Sequence, residues 1–123
     1  MMSEDSEGKR IVIVEDDALI SALFSEYCRI GGHEVVGVAS EPGSAERIIA
    51  ETQPDFVLMD VRLNAERDGV DVALQAAETA PNAKIVYVTG SNEPATLARI
   101  NDDNPHRILI KPVLAEALHA ALA

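Results

Sequence analysis

The sequence predicts an α/β domain in which a parallel sheet is covered on both faces by helices. Five short apolar runs alternate with segments of helical periodicity along the chain, and this alternation is typical of consecutive βα units. The apolar runs are continuous, which indicates strands buried on both faces. At 123 residues, 47% of them hydrophobic, the chain has the length of one domain with its own core.

The elements are predicted in chain order. The five strands lie at the runs RIVIV, HEVVGVA, DFVLMDV, AKIVYVT and RILI. In the first helix the apolar residues recur at helical spacing until Gly31-Gly32 ends them: Ile20, Leu23, Phe24, Tyr27 and Ile30. The other four helices are predicted at SAERIIAET after Pro42, at DGVDVALQAAETA, near EPATLARI and at VLAEALHAALA. In the last helix an apolar stripe is expected to pack on the sheet: Leu114, Ala117, Leu118, Ala121 and Leu122.

Composition excludes several classes of function. The net charge of −11, from 21 acidic and 10 basic residues, opposes binding to nucleic acid or to an anionic membrane. A single cysteine, Cys28, leaves no disulfide to form, is expected to be a packing residue, and favours a reducing, cytoplasmic location. No apolar run approaches the roughly 20 residues that a spanning helix needs. We expect a soluble protein with a flexible leader over residues 1–8 and one domain over residues 9–123.

Polar residues follow four of the predicted strands. Glu15 and Asp16 follow strand one, Asp60 ends strand three, Thr89 ends strand four and Lys111 follows strand five. In doubly wound sheets, ligands bind at the carboxyl ends of the strands near the point where strand order reverses. With strand order 2-1-3-4-5, strands one and three are neighbours about 4.8 Å apart. The sequence therefore predicts that the carboxylates of Glu15, Asp16 and Asp60 meet at one edge of the sheet.

Clustered carboxylates repel one another unless a cation neutralises them. Mg²⁺ fits such a cluster, because it binds a few carboxylates together with waters and a substrate phosphate. The ammonium of Lys111 and the hydroxyl of Thr89 could then bind a phosphoryl group on Asp60, so the set favours an aspartyl phosphate. Two plainer interpretations remain open: the run Glu15-Asp16-Asp17 could cap a helix, and Lys111-Pro112 could be an ordinary loop start.

From about Lys9 to Ala123 the sequence resembles the receiver domain of two-component response regulators. The landmarks are IVIVEDD, DFVLMDV, VTG and ILIKP. The resemblance implies a flavodoxin-like (βα)5 fold with a five-stranded parallel sheet in the order 2-1-3-4-5.

The resemblance also implies a role for each site residue. Asp60 is the expected phosphoacceptor, and Thr89 and Lys111 are expected to bind the phosphoryl oxygens. Asp16 and Asp60 are expected to bind Mg²⁺, with Glu15 acting largely through water and Arg62 contributing its backbone carbonyl.

The sequence departs from the family pattern in two places. The loop after the acceptor, DVRLNAERDG, is longer than usual and lacks the common Met-Pro. Ile108 stands where the family usually has a switch aromatic, so switching is expected to use Gly90 and the following segment SNEPAT. YVTGS is similar to the Phe-Ala-Thr-Gly-x motif of an atypical receiver group, mostly alphaproteobacterial and paired with HWE or related histidine kinases.

The expected function is that of a single-domain phosphoacceptor in a phosphorelay. The expected donor is a histidine kinase or phosphotransfer protein, docking near helix one, and the signal is passed to an unidentified protein target rather than to an output domain, nucleic acid or membrane. The protein is not expected to be an enzyme beyond catalysing its own phosphorylation and dephosphorylation.

Other functions fit the residues less well. A degenerate receiver-like adaptor would bind a partner without phosphorylation. A haloacid-dehalogenase-type phosphatase would need an acid two residues after its nucleophile, where this chain has Arg62.

Overall fold

A computed structural model of the chain describes residues 8–63, 67–90, 98 and 106–123. The strands are β1 (Arg10–Val14), β2 (Glu34–Ala39), β3 (Phe56–Asp60), β4 (Lys84–Thr89) and β5 (Arg107–Ile110). The helices are α1 (Ala18–Ile30), α2 (Pro42–Thr52), α3 (Gly69–Thr79) and α4 (Ala115–Ala121). The helix predicted near EPATLARI and most of the predicted leader lie outside the residues described.

The five strands form one parallel sheet in the order β2-β1-β3-β4-β5, which confirms the predicted fold. One buried cluster, which includes Val12, Ile49, Val57 and Tyr87, lies between the sheet and the α2–α3 layer. A second, which includes Ile11, Phe24, Leu58 and Leu118, lies between the sheet and the α1–α4 layer. The strands therefore contribute apolar residues to both faces, as the continuous apolar runs predict.

Local sequence signals fix the ends of the helices. Asp17 caps α1 by accepting hydrogen bonds from the backbone N–H groups of Leu19 and Ile20. After α1 the chain turns through Gly32, whose φ of +85° is a conformation that glycine adopts readily. At α3 the Asp68 side chain accepts from the N–H groups of Val70 and Asp71, and Asp71 accepts from the Asp68 N–H in return, which is a capping box.

Several apolar residues are more exposed than their patterns predict. Ile110 is 50% exposed, because β5 lies at the edge of the sheet. On α1, Leu23 and Ile30 are exposed while Phe24 is buried, so the apolar face is narrower than the spacing suggests. In the predicted stripe of the last helix, Leu118, Ala121 and Leu122 are buried, whereas Leu114 and Ala117 are exposed.

Cys28 packs in the second cluster, and burial raises the pKa of its thiol to about 11. An unreactive packing role is the one its position in α1 predicts. Within the described ranges, no helix has the length and apolar character required to cross a bilayer.

Candidate functional site

The carboxyl ends of four strands bring the predicted site residues to one edge of the sheet. Asp60 ends β3 beside Val88 of β4, and Thr89 ends β4 beside Ile110 of β5. The backbone N–H of Lys111 donates to the carbonyl of Thr89 at 2.9 Å. The backbone N–H of Glu15, just after β1, donates to the carbonyl of Ala39 at 2.9 Å. The parallel hydrogen bonding thus continues one residue past β1 and β5, and it holds Glu15 and Lys111 level with the strand ends.

Three carboxylates converge at this edge. Glu15, Asp16 and Asp60 each place one oxygen so that the three atoms lie within 4.8 Å of one another. Glu15 and Asp60 are only 3% and 4% exposed, whereas Asp16 is exposed to solvent. The sequence prediction that these carboxylates meet is therefore confirmed in position.

The surroundings of Asp60 disfavour its negative charge. Burial, followed by the nearby charge of Glu15, raises the pKa of the Asp60 carboxyl to about 7. The ammonium of Lys111 and the backbone N–H of Arg62 act in the opposite direction, but they do not offset burial and repulsion. A bound cation would lower this pKa and restore the carboxylate.

Lys111 is paired with both buried carboxylates. Its Nζ lies 3.2 Å from Glu15 Oε1 and 3.6 Å from Asp60 Oδ1. The interpretation of Lys111-Pro112 as an ordinary loop start does not account for these two ion pairs. One ammonium facing two buried carboxylates and a third, exposed one leaves the group with a net negative charge.

The capping interpretation of the acidic run holds for one of its members. Asp17 caps α1, as described above. Glu15 instead turns back into the site: its Oε2 accepts the Asp17 backbone N–H at 3.1 Å, and its Oε1 lies beside Lys111. Asp16, between them, presents an oxygen to the carboxylate group from its solvent side.

The unsatisfied oxygen of Glu15 provides a test of whether a metal ion fits here. Glu15 Oε1 is buried and, although it lies within ion-pair distance of Lys111, no donor in the described part of the chain hydrogen-bonds to it. A buried carboxylate oxygen without a donor is costly, and a hard cation bound by carboxylates would relieve that cost. The donor set of Glu15, Asp16 and Asp60 is all oxygen, so it fits Mg²⁺.

The remaining predicted site residues also lie at this edge. The backbone N–H of Arg62 lies 3.3 Å from Asp60 Oδ1, so the backbone of Arg62 faces the Asp60 carboxyl. Thr89 is 2% exposed. Ile108, at the position of the usual aromatic, is partly buried, pairs with Tyr87 in the β4–β5 register and packs against the first core cluster.

Sequence reasoning missed an apolar groove beside the site. Its cavity has a volume of about 330 Å³ and is lined by Ile20, Leu23, Phe24, Lys111, Pro112 and Val113. The exposed Leu19 and the half-exposed Leu23 extend this apolar surface along α1. Helical spacing placed Leu23 on a helix, and only the position of α1 relative to Pro112 shows that Leu23 borders a groove.

Comparison with known proteins gives consistent results. Residues 11–123 match the family described as the response regulator receiver domain. The transcriptional regulatory protein PdtaR of Mycobacterium tuberculosis is 35% identical over 104 residues, which are 85% of this chain and 50% of that protein. The chemotaxis protein CheY of Thermotoga maritima is 29% identical over 105 residues, covering 85% of this chain and 87% of CheY. The chain thus spans about half the length of PdtaR and most of the length of CheY.

A solved structure agrees with these sequence matches. The signal receiver domain of a modulated diguanylate cyclase from Desulfovibrio desulfuricans G20 has a TM-score of 0.87 and 32% identity, covering 94% of this chain and 91% of that one. The family match, the shared topology and the convergence of carboxylates with Lys111 lead to one conclusion. The chain belongs to the response regulator receiver domain family.

Proposed function

We propose that this chain accepts a phosphoryl group on Asp60 from a phosphohistidine of a sensor kinase or phosphotransfer protein. The observation that carries the proposal is the buried Asp60 carboxyl, which lies at ion-pair distance from Lys111 and within 4.8 Å of the carboxylate oxygens of Glu15 and Asp16. A structural carboxylate would not need two further carboxylates beside it. A nucleophile that works with a cation would.

The residues divide the chemistry among them. An oxygen of Asp60 bonds to phosphorus while the bond from phosphorus to the histidine nitrogen breaks, and the imidazole leaves. Lys111 offsets negative charge on Asp60 before the transfer and on the phosphoryl oxygens after it. Thr89, which ends the neighbouring strand, supplies a hydroxyl to the same oxygens.

Glu15, Asp16, Asp60 and the backbone carbonyl of Arg62 would hold Mg²⁺. When bound, the ion supplies positive charge that neutralises the carboxylates and the incoming phosphoryl group. Glu15 contributes because its buried Oε1, which lies beside the Lys111 ammonium, accepts no hydrogen bond from the described residues. The chain acts in this way only on its own Asp60, in gaining and losing the phosphoryl group, and has no separate substrate.

The proposed docking surface for the phosphodonor is the groove beside the site. Leu19 and Leu23 of α1 are exposed apolar residues, and the groove reaches Lys111 and Pro112. A helical partner packing there would place its phosphohistidine beside Asp60. The partial match of YVTGS to the Phe-Ala-Thr-Gly-x motif favours a kinase of the HWE type as that partner.

The proposal is tested by incubation with Mg²⁺ and acetyl phosphate, followed by intact-mass measurement. We expect wild type to gain the mass of one phosphoryl group and hydroxylamine to remove it. Asp60→Ala should show no gain. Asp55→Asn, a change just before the start of β3, should behave as wild type. If wild type is not modified, the alternative of an adaptor that binds a partner without phosphorylation is favoured. If Asp60→Ala is modified, the phosphoacceptor is another residue.

A further inference from the structure

A single peptide group links the acceptor to the start of α3. The carbonyl of Val61 and the N–H of Arg62 belong to the same peptide unit. Its carbonyl accepts the backbone N–H of Gly69 at 2.8 Å, and its N–H points to Asp60 Oδ1 at 3.3 Å. Since the peptide group is planar, holding its carbonyl also fixes the direction of its N–H.

The contact requires a very close approach of backbones. A Cβ atom added at Gly69 would lie 2.2 Å from the carbonyl oxygen of Asp60, 3.0 Å from the carbonyl carbon of Asp60 and 2.9 Å from Met59 Cγ. The nearest of these atoms belongs to the backbone of a buried strand, which cannot shift cheaply. Glycine is therefore required here for space. Gly69 is the first residue of α3, where alanine would otherwise be the better helix former.

The surrounding structure holds α3 at this short distance. The Asp68–Asp71 capping box fixes the first turn of α3. Val61 and Leu63, on the acceptor side of the loop, are both buried in the first core cluster. The loop also has an ion pair from Arg67 to Glu46 of α2. The described residues on both sides of the loop, 61–63 and 67–68, are thus held in place.

We infer that Gly69 is a positioning residue for the acceptor site, acting through the Val61–Arg62 peptide. Its N–H orients that peptide so that the Arg62 N–H faces the Asp60 carboxylate and the following Arg62 carbonyl is presented where a metal ion is expected. Its lack of a side chain permits the approach. This role rests on the proposed function of Asp60, and it adds a residue that makes no side-chain contact with metal or phosphate.

Three glycine-to-alanine variants separate positioning from general destabilisation. Gly69→Ala places a methyl group against the Asp60 backbone. Gly37→Ala is a crowded control in β2, where the new Cβ would lie 2.4 Å from Ile48 Cγ2 in the α2–β2 packing. Gly43→Ala is an open control in the first turn of α2, where, apart from the adjacent helix backbone, no atom of the described residues lies within 4 Å of the added Cβ.

Two functional readouts are compared in the folded state of each variant: Mg²⁺ affinity by calorimetry and the rate of phosphorylation by acetyl phosphate. We expect Gly69→Ala to weaken Mg²⁺ binding about tenfold, the lower end of the effect of removing a residue that orients a metal ligand, and to slow phosphorylation. Gly37→Ala should unfold at lower urea but keep the wild-type Mg²⁺ affinity and rate. Gly43→Ala should match wild type in both. Equal Mg²⁺ affinities for Gly69→Ala and wild type, or equal losses in Gly69→Ala and Gly37→Ala, would overturn the inference.

Amide hydrogen exchange and NMR test the peptide itself without phosphorylation. In metal-free protein, the amides of Gly69 and Arg62 should be protected in wild type and in Gly37→Ala, and both should lose protection in Gly69→Ala. In wild type, the Gly69 amide resonance should shift with that of Arg62 at the same Mg²⁺ concentration. A Gly69 resonance that ignores Mg²⁺ while Arg62 responds would contradict the inference even if Gly69→Ala failed to fold. If the exchange pattern holds but wild type is not phosphorylated, the positioning contact stands and the proposed function fails.

Discussion

The position of Asp60 in the fold disfavours the ionised form of its carboxyl, which is the form that the proposed phosphoryl transfer requires. Its carboxyl is buried beside Glu15, and these two causes raise its pKa to about 7. An unfolded chain would ionise the same group near pH 4. Because the folded protein binds this proton more tightly than the unfolded chain, the group makes folding less favourable as pH rises from about 4 to about 7.

Asp60→Asn should therefore stabilise the metal-free protein at pH 8. The amide keeps the shape of the carboxyl but removes its charge, so we expect the free energy of unfolding to rise by on the order of 2 kcal/mol. At pH 4.5, where Asp60 is protonated in the folded state, the variant and wild type should nearly coincide. Urea unfolding at both pH values measures the difference. An equal gain at pH 4.5 and pH 8 would assign the effect to packing rather than to charge.

The sequence predicted which charged residues lie together at the strand ends, because these residues come at or just after the ends of apolar runs. Strand ends can be located from such runs, and parallel strands place their carboxyl ends together. Two features of the site were not predictable from the sequence. That no described residue donates a hydrogen bond to Glu15 Oε1 depends on the rotamers of Glu15 and Lys111. That a Cβ at position 69 would clash with the Asp60 carbonyl depends on how closely α3 approaches β3.

Two histidines connect neighbouring elements at the amino-terminal end of β1 and β2, opposite the candidate site. His33 Nδ1 accepts the backbone N–H of Lys9 at 3.0 Å, just before β1. His119 Nε2 on α4 lies 3.0 Å from the carbonyl of Tyr27 on α1, so it donates to that oxygen. Both rings lie against Gly31, since a Cβ there would lie 3.2 Å from atoms of each. Burial first, then the charges of His119 and Lys9, lower the pKa of His33.

This arrangement predicts a loss of stability in mild acid. Protonation of His33 would place a hydrogen on Nδ1, where it accepts the Lys9 N–H, so the folded state resists a proton that the unfolded chain takes up near pH 6.5. The stabilising contribution of neutral His33 is complete above about pH 6.5 and is lost as pH falls through the lowered pKa of the folded state.

His33→Asn tests this contribution, because the Asn Oδ1 can accept the same N–H without titrating. Both proteins carry Asp60→Asn, so that Asp60 does not titrate in the same range. Between pH 7.5 and pH 5.5, we expect the His33 protein to lose about 0.5 kcal/mol more unfolding free energy than the His33→Asn protein, a small effect because the ring is only partly buried. His119→Gln, which can keep the donor to Tyr27, is the matched control for the second ring. Parallel pH profiles with and without His33 would show that the pair does not couple to folding.

At the scale of elements, apolar runs predicted strands better than they predicted burial. The run at β5 is as apolar as the run at β3, yet Asp60 and the residues before it are all buried while Ile110 is half exposed. The difference follows from the position of each strand in the sheet, and a strand's own sequence does not state whether it lies at an edge. For the same reason, the spacing of Leu23 and Ile30 on α1 indicated a helix but not that these residues face outward.

The candidate site and the His33 contact lie at opposite ends of the sheet. The carboxylates and Lys111 lie at the carboxyl ends of the strands, while His33 and Lys9 lie at the start of β1 and β2. The α/β class and the parallel sheet were predictable from the alternation of five runs with helical segments. The strand order 2-1-3-4-5 was implied by the family resemblance. At the site three carboxylates face one ammonium, so the local charge has the same sign as the net charge of −11 of the whole chain. A cation bound at the site would therefore act on the stability of the entire domain.

Mg²⁺ should stabilise the folded domain in a way that depends on pH and on Asp60. A ligand that binds only the folded state adds about 2.7 kcal/mol to the unfolding free energy at 100 times its Kd. At pH 8 we expect urea unfolding to show a gain of that order. At pH 5 the gain should be much smaller, because the proton on Asp60, with a pKa of about 7, competes with the ion. Asp60→Asn should lose most of the gain at pH 8, and NaCl at matched ionic strength should not reproduce it. A gain that persists in Asp60→Asn, or that NaCl produces equally, would mean that Mg²⁺ acts by screening the surface charge and not by binding between Glu15, Asp16 and Asp60.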